Sequence, residues 1–376
     1  MNILIHSLSI KGHRLEYIHH FYQEALCNKH NNFIFALPKE FKEKSCILNW
    51  PNAENITIDF IRKTEQESYS GGIIKKSIYK AKNLGYYCKK YKIDRIILID
   101  LMVYLPFLPI FVSRRCKVYG IIYRIYFYEW KKESIIKKIQ DASIYFFLSK
   151  LKVFHKIFLL NDLTAANYAN RLFNTKKFFY LPDPIPISDS STNINIRKKY
   201  GISDDKIIIL HPGGLLPYKG TLDILKAIKK MSADNLSKYV FIFAGRISTY
   251  IEKDYYQLLC EIGDKANIVE EKGFLPFDIL ESLFKGCDLV LIPYKTKTLS
   301  SGILGHAAYH SKPVIVGKGG VIGKIVKKFS LGYLMDAPDS DSIKIFLESN
   351  IPLKEIDGNN YVKINTVNNF IERFDL

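Results

Sequence analysis

Short runs of β-branched and aromatic residues recur along the chain, each followed by a stretch long enough for a helix. This alternation constrains the fold more than any other feature. In the first half it predicts strands at Ile3–Ile5, Phe33–Leu37, Ile56–Ile61, Arg95–Ile99, Val118–Ile122, Ile157–Leu160 and Phe178–Leu181. In the second half it predicts them at Ile207–Leu210, Val240–Ala244, Ile268–Glu270, Leu289–Ile292, Val314–Val316 and Gly332–Leu334. The runs are nearly all apolar rather than alternating. A strand of that kind is buried on both faces, which is the condition of a parallel sheet covered by helices. Between the halves lies Pro182-Asp183-Pro184-Ile185-Pro186, followed by a stretch rich in Ser and Asn. Three prolines so close cannot sit inside a sheet or a helix. The expectation is α/β: two doubly wound domains, at 1–185 and 197–355, with a linker at 186–196 and a tail at 356–376 that packs back on the first domain.

The 376 residues are 48% hydrophobic and 24% charged, which excludes general disorder and suits two globular cores. Six cysteines (27, 46, 88, 116, 260 and 287) show no Cys-x-x-Cys. They read as small buried apolar groups in a reducing compartment, with no zinc site or disulfide framework. The longest uncharged apolar stretch, Leu101 to Ser113, is 13 residues long and contains two prolines. A spanning helix needs about 20 residues, so a soluble, cytoplasmic chain is expected. Its N-terminal apolar run follows no basic region and reads as a first strand.

The net charge of +18 is uneven: residues 1–185 hold 30 Lys+Arg against 15 Asp+Glu. Such a half suits an anionic partner, whether an acidic membrane surface, a pyrophosphate-linked substrate or nucleic acid. No recognisable nucleic-acid motif interleaves the basic residues, so nucleic acid is the weakest of the three.

Doubly wound sheets bind ligands beyond the carboxyl ends of their strands, so the loops there carry the chemistry. After Ile207–Leu210 comes His211-Pro212-Gly213-Gly214-Leu215-Leu216-Pro217-Tyr218-Lys219-Gly220. Its glycines allow close backbone approach, and Lys219 sets a cation before a helix; a pyrophosphate would suit both, although such turns also occur as plain connections. Arg246 follows Val240–Ala244 and can grip a phosphate. Ser300 and Ser301 read as N-caps of a helix whose amino end favours an anion, with Gly302 and His306 on one face.

Residues 205–335 resemble the donor domain of GT-B glycosyltransferases of the "glycosyl transferases group 1" family, and the first half resembles them in outline. The resemblance implies two Rossmann-like domains with a cleft between them and a nucleotide-sugar co-substrate of the UDP or GDP type. No tightly bound cofactor and no metal are expected. Gly213, Gly214 and Lys219 would grip the diphosphate, although Gly214 stands where the family has arginine. Gly273, Phe274 and Leu275 would meet the base through backbone groups, and Ser300, Ser301 and Gly302 would cradle the pyrophosphate. The family's paired glutamates, aligned on Lys312-Pro313-Val314, fall on Thr298 and His306. His306 can still reach a ribose hydroxyl.

If the chemistry is inverting, a base must come from the first domain. His13, Glu16 and Asp100 are the candidates at strand ends, with Gly12, Tyr123 and Arg124 placed for the acceptor. The expected function is sugar transfer to a glycan or lipid-linked acceptor in bacterial surface polysaccharide synthesis, peripheral to the inner face of the plasma membrane. A nucleotide-sugar epimerase or sugar phosphorylase on the same fold is the alternative. Leu101–Val112 with Tyr126–Phe158 reads either as a membrane-facing surface or as packed core.

Overall fold

The computed structural model describes residues 1–9, 13–42, 50–61, 72–185, 194–349 and 353–376. Every expected strand forms, most within a residue of its expected ends. The chain divides into two compact units, one of residues 1–182 with 367–376 and the other of residues 183–366.

The first unit is built on a seven-stranded sheet of β1 (Asn2–His6), β2 (Asn32–Pro38), β3 (Ile56–Ile61), β4 (Arg95–Leu98), β5 (Lys117–Ile122), β6 (Phe154–Leu160) and β7 (Phe178–Leu181). Its order is β3-β2-β1-β4-β5-β6-β7, and every pairing is parallel. The near-continuous apolar runs are explained by this: Ile3, Leu4 and Ile5 of β1, like all of β4, are buried. Helix α1 (His13–Cys27) lays Tyr17, Ile18 and Phe21 on the sheet. Helix α2 (Ile73–Lys90) leads into β4, and α3 (Ile135–Lys150) leads into β6. Leu101–Val112 is largely packed, with Leu101, Tyr104, Leu108 and Val112 buried.

The second unit is a six-stranded parallel sheet of β8 (Ile207–Pro212), β9 (Tyr239–Gly245), β10 (Asn267–Lys272), β11 (Leu289–Ile292), β12 (Val314–Gly317) and β13 (Gly332–Met335), in the order β10-β9-β8-β11-β12-β13. Three of its helices bear on function: α4 (Thr221–Lys230), α5 (Phe277–Gly286) and α6 (Gly302–Tyr309). In both sheets the winding reverses beside the central strand, at β1/β4 and at β8/β11.

The units divide at 182/183 and 366/367 rather than at 185 and 355, for identifiable reasons. Ile185 N donates to Asn365 O at 2.9 Å, and the Ile185 side chain packs where a Cβ on Gly305 would lie. Residues 186–193 of the expected linker are outside the described residues. The last helix, α7 (Val367–Glu372), puts Phe370 4.8 Å from Tyr17 between ring centroids, and Phe374 beyond it lies 4.5 Å from Phe158. Arg95 Nη1 donates to Phe374 O at 2.9 Å. Two cysteines depart from expectation, since Cys27 and Cys260 are exposed, while Cys88, Cys116 and Cys287 are buried and Cys116 Sγ donates to Ile93 O at 2.9 Å.

A neutral histidine is buried at the carboxyl end of each central strand. In β1, His6 Nε2 donates to Asn83 Oδ1 at 2.9 Å and Nδ1 accepts from Tyr104 at 2.7 Å. In β8, His211 Nδ1 donates to Leu291 O at 2.9 Å and Nε2 accepts from Thr221 at 3.0 Å. Burial lowers both rings from 6.5 to about 4, and the Lys219 charge adds to the effect on His211. A depressed imidazole stabilises the fold above its unfolded value, and that contribution is lost as pH falls through the folded value. Each histidine should therefore withdraw roughly 3 kcal/mol between pH 6.5 and 4. Thermal denaturation should show the loss, and His211→Asn should flatten the slope. A midpoint insensitive to pH in that window would refute the assignment.

Candidate functional site

In the second unit the site residues converge where β8 and β11 end. Gly213 has φ +90°, and a Cβ there would lie 3.1 Å from Lys219 Nζ and 3.5 Å from Ile303. Across the sheet, Gly245 has φ +145°, and its Cβ would meet Gly213 O at 2.1 Å. The two strand ends therefore touch backbone to backbone, which only glycine permits. Gly213 N bonds Ala244 O at 2.8 Å, and Leu215 N bonds Arg246 O at 2.8 Å, fixing the loop on β9.

Pro217–Lys219 then forms a short helical turn, closed by Gly220 at φ +77°. This turn docks on the chain leaving β11, where Lys295 N donates to Tyr218 O at 2.8 Å. The Lys219 ammonium lies 5.4 Å from the Tyr294 ring centroid. Tyr294 and Ser301 hydroxyls are 3.2 Å apart. Gly213, Lys219, Tyr294 and the start of α6 thus form one cluster.

Ser301 stands at the N-cap of α6, yet its side chain makes no capping bond, and the first turn holds no acidic residue. The expected cap is not made because the hydroxyl faces Tyr294 instead. The amino end of α6 keeps its uncompensated partial positive charge. Ser300 donates to Asp183 Oδ2 at 3.3 Å. Gly214 is half-buried in the β8 loop, and Arg246 is exposed at the end of β9. Gly273, at φ +97°, turns the chain after β10; Phe274 is 94% exposed and Leu275 half-buried.

The two positions aligned with the family glutamates have different environments. Thr298 is fully buried and hydrogen-bonded to Thr296 at 2.9 Å. His306 Nδ1 donates to Glu281 Oε1 of α5 at 2.8 Å, and its ring stacks on Phe284. His310 Nε2 donates to the other oxygen of the same carboxylate. Burial pushes the Glu281 carboxyl up, but the hydrogen bonds and charges of His306 and His310 outweigh it and hold the group at about 2. Glu281 and His310 were missed in the sequence, although an acid four residues after Phe277 and three before Phe284, on the face those two rings share, was the available signal.

In the first unit a pocket of about 340 Å³ opens where β1 and β4 end. Ser7, Leu8 and Ser9 after β1, Asp100 and Val103 after β4, Arg14 of α1 and Lys76 and Lys80 of α2 line it. Arg14 Nη2 donates to Asp100 Oδ2 at 2.7 Å. The same guanidinium lies 5.5 Å from the Tyr123 ring, which stacks on Tyr17. Asp100 and Tyr123 are therefore brought together through Arg14, which the sequence reading did not assign.

Glu16 is turned along α1, with Oε1 3.7 Å from His20 Nε2, and is absent from the pocket lining. Arg124 is exposed and pairs with Glu129 at 3.3 Å. Gly12 is outside the described residues, as is the side chain of His13, which opens α1. Among the described residues no His, Cys, Asp and Glu cluster is built to hold a metal.

Residues 192–351 match the family model described as "Glycosyl transferases group 1". An uncharacterized glycosyltransferase of Methanocaldococcus jannaschii is 31% identical over 150 residues, 40% of this chain and 37% of that protein. The chain thus aligns with well under two thirds of that curated relative's length. Among solved structures, Anabaena HepE in complex with UDP superposes with a TM-score of 0.70 at 14% identity, over 100% of this chain and 98% of that one. WaaG, a glycosyltransferase involved in lipopolysaccharide biosynthesis, gives 0.67 at 12% identity over 97% and 95%. A UDP-forming trehalose-phosphate synthase from Burkholderia xenovorans gives 0.67 at 11% over 100% and 99%. At these identities the structures establish a shared fold.

The Glu281 network can be tested apart from catalysis. Glu281→Ala leaves two histidine N–H groups without their buried acceptor and should cost about 2–4 kcal/mol of stability. Because the folded carboxyl is depressed from 4.5, its contribution is present above pH 4.5 and lost as pH falls through about 2. Denaturation curves of wild type and variant should therefore converge towards acid. Equal stability at neutral pH would remove the network from the fold's energetics.

Proposed function

Residues 192–351 match the glycosyl transferases group 1 model and the chain has the GT-B fold, and from that premise we propose that the protein moves a sugar from a nucleotide-sugar donor to a glycan or lipid-linked acceptor. The observation that carries this reading is the convergence of Gly213, Lys219 and the uncapped amino end of α6 at the β8/β11 reversal. A diphosphate placed there accepts backbone N–H bonds and meets an ammonium, without a side-chain carboxylate in that helix's first turn to repel it.

As the glycosidic bond to the donor breaks, negative charge grows on the departing nucleoside diphosphate. Lys219 and the α6 amino end stabilise that charge, with Arg246 as a second cation. Gly273 to Leu275 offer backbone groups to the base. His306 has Nδ1 committed to Glu281, so its Nε2 is the atom left for a ribose hydroxyl. That relatives of this fold were solved with UDP supports a uridine donor. The acceptor is received on the first unit, where His13 or Asp100 takes the proton from its hydroxyl.

The second part of the reading is a peripheral seat on an anionic lipid surface, and α3 supports it. Ile135, Ile136, Ile139, Phe146 and Phe147 are between 48% and 74% exposed along this one helix. Lys131, Lys132 and Lys150 are exposed beside them. An apolar stripe flanked by lysines suits the boundary between headgroups and acyl chains. Among the described residues no helix is long and apolar enough to cross a membrane. A role in surface polysaccharide synthesis at the inner face of the plasma membrane follows from such a seat.

Calorimetry with UDP tests the donor site. Lys219→Ala should weaken binding by about 1.5–3 kcal/mol, the worth of a hydrogen bond to a charged group. His13→Ala should leave UDP binding near normal while turnover falls by roughly 10²-fold, since a base acts in the transition state. UDP affinity untouched by Lys219→Ala would sink the assignment. For the lipid surface, sedimentation with anionic vesicles should be strong at low salt and weak at high salt. Phe146→Glu with Phe147→Glu should abolish it even at low salt; retained binding would count against α3.

A further inference from the structure

We infer that the anionic lipid surface is met not by α3 alone but by one whole helical face of the first unit, so that its sheet lies parallel to the lipid. This rests on the lipid reading above and names the residues that make the seat. Strand order decides which helices share a face. From β3 the chain crosses β2 and β1 to reach β4, then steps on through β5 and β6 to β7, in one direction throughout. From β1 to β3 it steps the other way. Parallel crossovers are right-handed, so α2, the short helix Leu108–Phe111, α3 and the helix Leu163–Leu172 cover one face, and α1 covers the other.

Side-chain contacts place these helices in a row. Asn83 of α2 accepts from His6 at the end of β1 at 2.9 Å, and a Cβ on Gly85 would lie 2.6 Å from Phe111 O. Lys150 of α3 donates at 2.8 Å to Phe173 O, just past Leu163–Leu172, and Asn170 of that helix donates at 2.8 Å to Phe178 O of β7. The row therefore spans β1 to β7, which is four strand spacings or about 20 Å.

Exposed apolar groups are confined to that row. Among the described residues of the first unit, every exposed large apolar side chain except Met1 lies on these four elements. Beyond the α3 stripe they are Ile74, Tyr79 and Tyr86 on α2, Ile110 on the short helix, and Leu163, Tyr168 and Leu172 on the last. Among the described residues of α1, Gln23 and Cys27 alone are exposed. Charge divides in the same way. Helix α2 carries six lysines and no acidic residue, whereas α1 carries one arginine and two glutamates. Lys75, Lys82 and Lys89 are exposed on the side of α2 that shows Tyr79 and Tyr86.

Apolar tips and tyrosine rings set singly among cations over such a breadth suit a flat bilayer. The tips enter the acyl boundary, the rings sit at headgroup level, and the ammoniums meet lipid phosphates. A second copy of the chain would instead press one positive face against another.

The test uses the full chain and three pairs of substitutions, each adding two negative charges at exposed positions. They are Tyr79→Glu with Tyr86→Glu on α2, Leu163→Glu with Leu172→Glu on the last helix, and Gln23→Glu with Cys27→Glu on α1. In sedimentation with phosphatidylglycerol-containing vesicles the first two pairs should weaken binding about tenfold or more. The α1 pair should bind as wild type does. On wild type, vesicles should slow acetylation of Lys75, Lys82 and Lys89 by acetic anhydride and leave Lys29 unaffected, a readout that stands even where a variant fails to fold.

Wild type that ignores the vesicles overturns the lipid reading and this inference together. Binding lost in Phe146→Glu with Phe147→Glu but kept in either new face pair confines the seat to part of the face and overturns this inference alone. Equal loss in the α1 pair, or labelling of Lys82 that vesicles do not change, overturns it as well. A dimer that forms without lipid and is broken by the α2 pair would replace the lipid with a second copy of the chain.

Discussion

The structure depends on one constraint: in each unit the central strand shares its backbone hydrogen bonds with a parallel neighbour on both sides. Parallel pairing forces every strand of a sheet to leave at the same edge, so every following loop emerges there. Where the winding reverses, at β1/β4 and at β8/β11, the two loops diverge and leave a crevice. The pocket with Asp100 and the cluster around Lys219 lie at these two places. Their chemistry is an outcome of strand order before it is an outcome of side chains.

A second requirement follows from the first. Loops packed so tightly against strand ends tolerate side chains at few positions, and the backbone of Gly213 and Gly245 is in mutual contact. The polar groups buried below the loops must also be satisfied. His6 and His211 meet this need in the same way, each held neutral with both ring nitrogens bonded. The two imidazoles thus occupy equivalent strand ends in the two sheets.

Charge is then left where the fold does not use it. Glu281 lies buried, but two histidine N–H groups share it, so it is spent on structure. Asp100 is matched by Arg14. Lys219 lies beside the uncapped amino end of α6. A positive excess at the carboxyl edge of the second sheet suits ligands that bring their own negative charge.

The sequence by itself determined the strands, because burial on both faces leaves a continuous apolar run that needs no knowledge of neighbours. It also located the Gly213–Gly220 turn and Asp100, since a loop following such a run must lie at the sheet's carboxyl edge. Arg14 reaching Asp100, Glu281 bridging His306 and His310, and Cys88 beside Cys116 were decided only by the tertiary structure. Each joins elements distant in the chain. Periodicity records which face of an element is buried, but not which other element covers it; that is set by strand order and by how the helices pack across it.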